Sequence, residues 1–521
     1  MTEMHPDDGS VRRREFLGSA ALTTAGAALG LSAWMSDPKR DVAAQEERSR
    51  EFHKDKSNLV RMGFIGVGNR GSTLLETALQ VPGAIPMAVA DVQADKRNSN
   101  AEKIRETMAK KLGDKSFEVA TYEDYRDLLA NPEIEAVFIA SPHYLHGPMA
   151  IDAIEAGKHV YCEKALAFTI GENWDIYNLV ASGRKAKDGS ALVFQVGHQR
   201  HYSPLYKKVK ELCDGDRIGD LAGFRAQWNQ NDEVRRPTPN PELEKVVNWR
   251  LYSEMSGGLT TEFATHQIDV VNWLLGTHPD SVCGYGGVDF YPDGRDTDDN
   301  IYLVYNYKVR IPARDAYGRI RRDAKGETIW ELDANGQPRV RNVRFQYMSI
   351  MANAHLGPSE LIMGRYGTIG ISLGGGEFWK EKKARQDPNR IAEGTNPLRS
   401  KQKDILRSGP TVATGFGGPP GDPIEGDEFL ITHEDGTTER DRRHWTRYID
   451  AITTAYDKVE TLLAIESFTD CVRNSRAGKP FKVSADAEIG MWSAVAALMA
   501  NIAMREQRTV YWEEFIPKKA V

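Results

Sequence analysis

A glycine-rich turn between an apolar run and a helical pattern constrains the fold of this chain more than any other feature. The apolar run covers residues 59–65, and Gly66, Gly68 and Gly71 follow it with the spacing GxGxxG. Gly66 permits a tight turn, Gly68 lets the backbone approach a pyrophosphate, and Gly71 lets the next helix pack closely on the strand. The sequence therefore predicts a dinucleotide-binding turn at a helix N-terminus, where backbone N–H groups attract phosphate. The predicted cofactor contacts in this turn are Gly66, Gly68, Asn69, Arg70 and Gly71.

A carboxylate follows the second apolar run. This run covers residues 87–90 and leads to Asp91, twenty positions beyond Gly71. An acid at this distance accepts hydrogen bonds from the adenosine ribose hydroxyls and repels a 2′-phosphate, which predicts NAD as the cofactor. Lys96 and Arg97 lie close enough in sequence to weaken this preference, so NADP stays open. The alternative is that three turn glycines and a capping aspartate occur here without a nucleotide.

The apolar runs continue with the rhythm of a parallel sheet. Residues 136–140 are apolar throughout, which suits a strand buried on both faces, and a helical pattern over 147–156 precedes a further strand at 159–162. Lys164 follows that strand at the carboxyl edge, where ligands bind in this fold. A lysine there either faces the cofactor or is a solvated strand end, and both interpretations stay open. We predict that residues 59–197 form a Rossmann dinucleotide-binding domain.

A second domain is expected where the alternation of strands and helices ends. We predict an α/β domain over residues 198–521, with strand-like stretches such as 301–309 and amphipathic helices over 445–477 and 485–508. Glycine- and proline-rich turns over 313–427 predict strands with long surface loops or insertions. No internal repeat is evident.

One helix of this second domain carries the residue types of acid–base chemistry. Residues 257–276 contain capping threonines near the start and a glycine at the end, as expected of a helix. Helical spacing places Glu262, His266 and Asp269 on one face. A carboxylate four residues before a histidine can hold the ring and favour the imidazolium, as a general acid/base near neutral pH requires. The alternative is an exposed face of paired charges.

Composition argues against several other functions. The 521-residue chain has a net charge of −6 and no basic stripe with interleaved aromatic residues, so a nucleic-acid partner is not expected. Its 4 cysteines lie far apart without a CxxC pair, which argues against thiol redox chemistry. His198 and His201 lack a neighbouring carboxylate or cysteine, and the acidic run at 296–299 lacks the spacing of a calcium loop. No metal site is predicted.

The N-terminus carries an export pattern. Three arginines at 12–14 precede Glu-Phe-Leu and a weakly apolar stretch that ends near Trp34, as in twin-arginine signals. Serine, threonine and glycine dilute this stretch, whereas a spanning helix needs about 20 strongly apolar residues, so no stable membrane span is expected. We predict a signal over residues 1–44, a linker or arm over 45–58, and a periplasmic or other extracytoplasmic location. The alternative is an unprocessed basic tail.

Four motifs in order resemble those of the Gfo/Idh/MocA oxidoreductases, a family that includes glucose–fructose oxidoreductase and inositol dehydrogenase. They are the glycine turn, Ile-Ala-Ser-Pro at 139–142 with His146, Ala-Gly-Lys-His-Val at 156–160 leading to Glu163 and Lys164, and Gly-Gly at 257–258 leading to Glu262, His266 and Asp269. The resemblance extends over residues 60–512. It implies a Rossmann domain followed by an α/β domain whose open, mainly antiparallel sheet often mediates oligomers. It also implies a sugar or polyol bound between the two domains.

The resemblance implies roles for individual residues. Lys164 would hydrogen-bond the reacting hydroxyl, His266 would take its proton, and Glu262 would stand at the family's aspartate position. Two departures are the alanine at position 165, where the family has proline, and Glu262, which is one methylene longer than aspartate. The further cofactor contacts implied are Ser141, His146, Glu163, Lys164, Gln199 and Arg200. The substrate contacts implied are Lys164, Trp249, Arg250, His266 and Asp269, with ordinary packing as the alternative for Gln199, Arg200, Trp249 and Arg250.

The function expected from these features is NAD(P)-dependent oxidation of a secondary hydroxyl of a sugar, polyol or sugar derivative. Because the twin-arginine route carries folded proteins and nicotinamide cofactor is scarce outside the cytoplasm, we expect the cofactor to bind before export and to stay bound. Two alternatives stay open: an NAD-dependent glycosidase that oxidises its sugar only transiently, and a sugar-binding module without catalysis. A homo-oligomer is expected from the resemblance.

Overall fold

The chain forms two compact units in a computed structural model. The model describes residues 54–380 apart from 233, 239, 317 and 373–374, the strands at 429–432 and 438–441, and residues 456–517. The predicted signal (1–44) and residues 45–53 of the predicted arm lie outside the described residues. The first unit comprises the described residues up to Glu163 together with Asp175–Tyr202 and Lys458–Ala487. The second unit comprises Lys164–Trp174, the described residues within Ser203–Asp457 and those from Glu488 onward.

The first unit is built on a six-stranded parallel sheet. Its strands are β1 Val60–Ile65, β2 Ala84–Ala90, β3 Ala120–Tyr122, β4 Ala136–Ile139, β5 His159–Cys162 and β6 Phe194–Val196. Their spatial order is β3-β2-β1-β4-β5-β6, the order of a doubly wound dinucleotide-binding fold. Every residue of β4 and β5 is buried, which explains why these strands are continuous apolar runs in the sequence. The predicted Rossmann fold is confirmed.

Helices connect these strands, and local sequence sets their ends. They are α1 Asn69–Ala78, α2 Ala94–Leu112, α3 Tyr125–Ala130, α4 His146–Glu155 and α5 Ile170–Ala181. Asp124 caps α3 by accepting a hydrogen bond from the Arg126 N–H at 2.9 Å. Gly113 ends α2 with a φ of 71°, a left-handed conformation that favours glycine.

The second unit contains an eight-stranded sheet. Its strands are β7 Leu221–Trp228, β8 Ser281–Gly287, β9 Asn300–Arg310, β10 Val340–Ile350, β11 Pro358–Gly364, β12 Gly367–Ser372, β13 Gly375–Lys380 and β16 Val510–Tyr511. Two further strands, β14 Phe429–Thr432 and β15 Thr438–Asp441, pair with each other. The order is β13-β12-β11-β7-β10-β9-β8-β16. Only β7 and β10 pair in parallel, while the other neighbours are antiparallel. The predicted open, mainly antiparallel sheet is confirmed.

Alternating side chains give this sheet one buried and one exposed face. Along β9, Ile301, Leu303 and Tyr305 are buried, whereas Tyr302 and Val304 between them are exposed. Successive side chains of a strand point to opposite faces of the sheet, so the apolar residues on the second face remain in contact with solvent.

Three tight turns of one kind occupy the connection between β9 and β10. Asp315, Asp323 and Asp333 each begin an Asp-x-x-Gly turn, and each carboxylate accepts a hydrogen bond at 2.9 Å from the N–H four residues later. We expected no internal repeat, and this short one was missed because its spacing changes from eight to ten residues. Residues 381–427 of the predicted insertion lie outside the described residues.

The remaining numbered helices are α6 Pro204–Asp214, α7 Glu244–Val247, α8 Thr265–Leu275, α9 Tyr456–Arg476 and α10 Ala487–Glu506. Residues 445–455 of the predicted helix over 445–477 lie outside the described residues. Among the residues described, α10 alone has the length and apolar composition of a membrane span, and 72% of its apolar window is buried inside the protein. That burial is typical of a core helix.

The helix α9 completes the core of the first unit, although it follows most of the second unit in sequence. Its Phe468 packs edge-on against Phe138 and Tyr161, with ring centroids 5.4 and 5.9 Å apart. We predicted that everything after residue 197 forms the second domain. The structure differs because the apolar residues of Lys458–Ala487 pack in the same core as β1, β2 and β4.

Candidate active site

The glycine turn has the geometry that its three glycines predict. Gly66 adopts a φ of +79°, and a Cβ there would lie 2.8 Å from the backbone nitrogen of Ser141. A Cβ on Gly71 would lie only 1.8 Å from the Gly66 carbonyl oxygen, so α1 packs against the turn at a distance that only glycine permits. A Cβ on Gly68 would meet no atom within 4 Å. Backbone atoms therefore crowd the turn at Gly66 and Gly71, whereas the space beside Gly68, which caps α1, is open.

Asp91 follows β2 at the same edge of the sheet as the turn. Its carboxylate accepts hydrogen bonds from the backbone N–H groups of Val67 at 2.9 Å and Gln93 at 2.8 Å. Each carboxylate oxygen has a second lone pair, so both can still accept a ribose hydroxyl. Arg97 donates a hydrogen bond to the backbone carbonyl of Asp91. The open cradle at Gly68 and this carboxylate fit a dinucleotide, with its pyrophosphate at the turn and its adenosine ribose at Asp91.

Ser141 and His146 lie beside the turn, at the end of β4. The backbone of Ser141 contacts the position where a Gly66 side chain would be. His146 is buried, and its Nε2 lies 2.9 Å from the Ser141 carbonyl oxygen. The structure therefore places Ser141 at the predicted cofactor edge and gives His146 a role in holding that segment.

An ion pair joins the turn to the end of β5. Arg70 Nε donates to Glu163 Oε1 at 2.7 Å, and Arg70 Nη1 lies 3.4 Å from the hydroxyl of Thr461 on α9. Glu163 is buried, and a Cβ on Gly197 would lie 2.8 Å from its carboxylate, so glycine at 197 makes room for the pair. The pair lies next to the glycine turn, and the cofactor contacts predicted for both residues stay predictions.

Gln199 and Arg200 begin a short 3-10 turn over Gln199–Tyr202 in the first unit. Arg200 is buried, and His198 just before it is buried as well. The burial of Arg200 is compatible with the packing alternative, and no described contact favours a cofactor role over it.

In the second unit, Lys164 meets the segment that carries the predicted acid/base. Lys164 Nζ donates a hydrogen bond to the backbone carbonyl of Glu262 at 2.8 Å. This carbonyl belongs to a turn of π-helix over Thr260–Ala264, which leads directly into α8 and His266. Single π turns in helices occur frequently at functional sites. The structure thus brings Lys164 to the turn just before His266.

Hydrogen bonds from α10 fix the start of this π turn. Thr260 Oγ1 lies 2.9 Å from the Gly257 carbonyl and 2.8 Å from Asn501 Oδ1, while the Asn501 amide donates to the same carbonyl at 2.8 Å. A Cβ on Gly257 would lie 2.4 Å from Thr261 Cγ2. The two glycines before the helix therefore allow a close approach that places Glu262 and His266.

Glu262 has a partner that the sequence did not reveal. Its carboxylate accepts a hydrogen bond from Arg250 Nε at 2.8 Å, and the Arg250 guanidinium lies 4.2 Å from the ring centroid of Trp249. Glu262 and Arg250 are both accessible to solvent, and the substrate contact predicted for Arg250 stays a prediction. The predicted substrate contacts Trp249 and Arg250 therefore lie together with Glu262.

His266 is 7% exposed and stacks on an aromatic ring that the sequence analysis missed. The ring of Trp228, at the end of β7, lies 5.4 Å from the imidazole with an interplanar angle of 24°. No local pattern connects these two residues, since they are 38 positions apart and meet only when the sheet and α8 pack.

Asp269, predicted as a substrate contact, lies on a buried face of its helix. It is 0% exposed, and Ser493 Oγ on α10 lies 3.3 Å from its Oδ1. The reason is the packing of α8, of which nearly every residue is buried, so the face that carries Asp269 lies against the core of the unit. This placement argues against a substrate contact for Asp269.

Among the described residues, no group of His, Cys, Asp and Glu side chains is arranged to hold a metal ion. The 4 cysteines are free of disulfides, and burial raises the pKa of the Cys162 thiol.

Family models match both units. Residues 60–186 match the model described as the oxidoreductase family with an NAD-binding Rossmann fold, and residues 206–325 match the GFO/IDH/MocA C-terminal domain. These matches support the Gfo/Idh/MocA family. The first match confirms the prediction of an NAD-binding Rossmann domain in an oxidoreductase family.

Curated relatives of this family differ in the activity that their names give. An uncharacterized oxidoreductase YrbE of Bacillus subtilis is 30% identical over 43% of this chain, and the chain spans 56% of its length. A myo-inositol 2-dehydrogenase of Thermotoga maritima is 25% identical over 60% of this chain and 94% of its own length. A glycosyl hydrolase family 109 protein of Shewanella pealeana is 32% identical over 51% of this chain and 55% of its own length.

A solved structure shares the fold of this chain. A levoglucosan dehydrogenase in complex with NADH and levoglucosan superimposes with a TM-score of 0.55, covers 87% of this chain and 99% of its own, and is 17% identical. At this identity, the similarity shows the fold alone.

Proposed function

We propose that this protein is an NAD-dependent oxidoreductase that oxidises a secondary hydroxyl of a sugar, polyol or sugar derivative. The observation that carries the proposal is the hydrogen bond from Lys164 Nζ to the Glu262 carbonyl, because it brings a cation to the turn before His266. Lys164 donates a hydrogen bond to the reacting hydroxyl and lowers its proton affinity, and His266 accepts the proton. NAD held at the glycine turn and Asp91 would supply the hydride acceptor for the carbinol carbon. Glu262 holds Arg250, which orients the substrate on its accessible side.

NAD is the preferred cofactor in this proposal, because the carboxylate of Asp91 lies where a 2′-phosphate would have to bind. Arg97 contacts the backbone of Asp91, so NADP binding is weaker rather than absent. The cofactor is loaded before export through the twin-arginine route and stays bound in the periplasm. This part of the proposal rests on the arginine run at 12–14 and the apolar stretch after it.

The first experiment is mass spectrometry of the nucleotide released from the purified, denatured protein. We expect close to one NAD per chain. A purified protein that releases no nucleotide would contradict the claim that the cofactor is tightly bound. Cell fractionation, with Arg13→Lys/Arg14→Lys as the variant, tests export, and the expected result is retention of the variant in the cytoplasm. Equal amounts of wild type and variant in the periplasm would contradict this route.

Activity is tested with a panel of sugars and polyols, followed by detection of keto or lactone products. We expect Lys164→Ala and His266→Ala to lose product formation while their NAD content stays near that of wild type. His355→Ala, at an exposed histidine of the second unit, is the matched control and should behave like wild type. Unchanged activity of both site variants would remove the catalytic assignment of Lys164 and His266. A wild-type protein that binds sugars of the panel but forms no product would leave a sugar-binding module.

The second candidate is an NAD-dependent glycosidase that oxidises the sugar transiently, eliminates the aglycone and reduces the sugar again. The match to a glycosyl hydrolase family 109 protein, at 32% identity over 272 residues, favours testing it. Aryl glycosides distinguish the two functions. Release of the aglycone and free sugar without net oxidation would favour the glycosidase over the oxidoreductase. Formation of an oxidised sugar would support the oxidoreductase.

A homo-oligomer completes the proposal, and the exposed face of the eight-stranded sheet is its interface. Tyr285 is 70% and Tyr302 is 47% exposed, and these two residues face each other across β8 and β9. Val304 adds a third exposed apolar side chain on β9. A second copy would cover this patch, because contiguous apolar surface mediates protein association.

A further inference from the structure

An aromatic stack connects the eight-stranded sheet to the helix that carries His266. The Trp228 indole stacks on His266 with a centroid distance of 5.4 Å and on Phe263 with a centroid distance of 5.0 Å. Phe263 and His266 are three positions apart, so both rings project from the same side of their helical segment. The interplanar angles of 18° and 24° show that the indole lies nearly parallel to both rings.

The sheet holds Trp228 in place. Trp228 is the last residue of β7, an interior strand between β11 and β10, and it pairs with Pro358 of β11. Its carbonyl oxygen accepts a hydrogen bond from Ser349 Oγ on β10 at 2.6 Å. Contacts to both neighbouring strands therefore fix the backbone that carries the indole, and the ring presents a rigid surface to the imidazole.

We propose that Trp228 is a positioning residue that holds the His266 ring in the orientation in which it takes the substrate proton. The inference rests on the proposed function, since it gives Trp228 its role through His266. The indole restricts rotation of the imidazole, and its electron-rich face attracts the imidazolium that forms when the proton is taken. The same helical segment carries two charged residues, Glu262 and Asp269. Arg250 donates a hydrogen bond to the Glu262 carboxylate, and Lys164 donates one to the Glu262 backbone carbonyl.

Histidine NMR tests whether the stack exists independently of activity. In protein labelled with carbon-13 at histidine Cε1, we expect the His266 resonance, assigned with His266→Ala, to lie upfield because of the indole ring current. Trp228→Leu should abolish this displacement, and Trp228→Phe should retain part of it. Trp330→Leu makes the same substitution at a tryptophan stacked near Arg310 and should leave the resonance unchanged. A His266 resonance that keeps its wild-type position in Trp228→Leu would overturn the proposal.

A double-mutant cycle tests whether Trp228 acts through His266. We expect Trp228→Leu to lower kcat by about ten- to a hundredfold, with the Kd for NAD and the KM for sugar near their wild-type values. Trp228→Phe should recover most of this loss. In the His266→Ala background, Trp228→Leu should have no further effect.

The outcomes separate this inference from the proposed function. An equal fall in kcat in both backgrounds would mean that Trp228 acts on its own or through the fold, and it would overturn only the positioning role. A wild-type protein that oxidises no sugar would end the proposed function and, with it, any role of Trp228 in that reaction.

Discussion

The glycine turn separates cofactor binding from folding, and a single methyl group tests that separation. Gly68 has φ and ψ of −70° and −158°, an extended conformation open to alanine, and a Cβ there would meet no protein atom within 4 Å. We expect Gly68→Ala to change the free energy of unfolding without NAD by less than about 1 kcal/mol. The methyl group would occupy the space through which the pyrophosphate approaches α1. Overpacking of about 1–3 kcal/mol corresponds to a rise of about five- to 150-fold in the Kd for NAD.

Gly71→Ala is the matched comparison, because its methyl group would lie 1.8 Å from the Gly66 carbonyl oxygen. The turn and α1 must then move apart by about 1 Å, which should lower the free energy of unfolding by about 1–3 kcal/mol even without NAD. Isothermal calorimetry with NAD and urea denaturation, on protein freed of bound nucleotide, measure the two effects. Wild-type affinity for NAD in Gly68→Ala would refute the placement of the pyrophosphate. A large loss of stability in Gly68→Ala would refute the open geometry.

Three further predictions concern stability and assembly. Burial lowers the pKa of His159 from 6.5 to about 4, so the neutral ring stabilises the fold above pH 6.5 and this contribution is lost as the pH falls toward 4. His159→Asn keeps an acceptor for the Val193 N–H. In urea titrations between pH 7 and pH 4.5, its free energy of unfolding should therefore fall by about 2–3 kcal/mol less than that of wild type, and equal losses would contradict the assignment. Arg476 donates to the Leu59 carbonyl at 2.9 Å, so Arg476→Ala should lower the free energy of unfolding by about 1–3 kcal/mol; an unchanged urea midpoint would show that this contact contributes nothing. Tyr302→Glu should reduce the mass measured by light scattering to that of a smaller assembly, and an unchanged mass would exclude this face as the interface.

Local patterns were sufficient to predict the glycine turn and the parallel sheet of the first unit, but not α9, which completes its core. The glycine turn and Asp91 lie within one strand–helix–strand segment, where spacing along the chain fixes spacing in the fold. The same applies to the π turn region, since Glu262 and His266 are four residues apart. Lys164 stayed ambiguous in the sequence, because its orientation depends on a hydrogen bond to a residue 98 positions away.

The side chains around His266 could not be predicted in the same way. Trp228 reaches His266 through the pairing of β7 with β10 and β11, and the ion pair of Arg250 with Glu262 joins two separate segments. The burial of Asp269 depends on α10, more than 200 residues later. Sheet register and helix packing decide these contacts, and neither leaves a periodic pattern in a single sequence.

The late position of α9 has a consequence for biosynthesis. Domains generally fold as units while the chain is still being made, beginning with the N-terminal one. Here the strands β1–β6 leave the ribosome long before Phe468, whose ring packs against Phe138 and Tyr161 of that sheet. Residues 203–457 emerge in the interval, while Phe138 and Tyr161 still lack their contacts with Phe468. The first unit to begin synthesis is therefore completed only near the end of translation, and an excised fragment that stops at residue 202 would lack part of its own core.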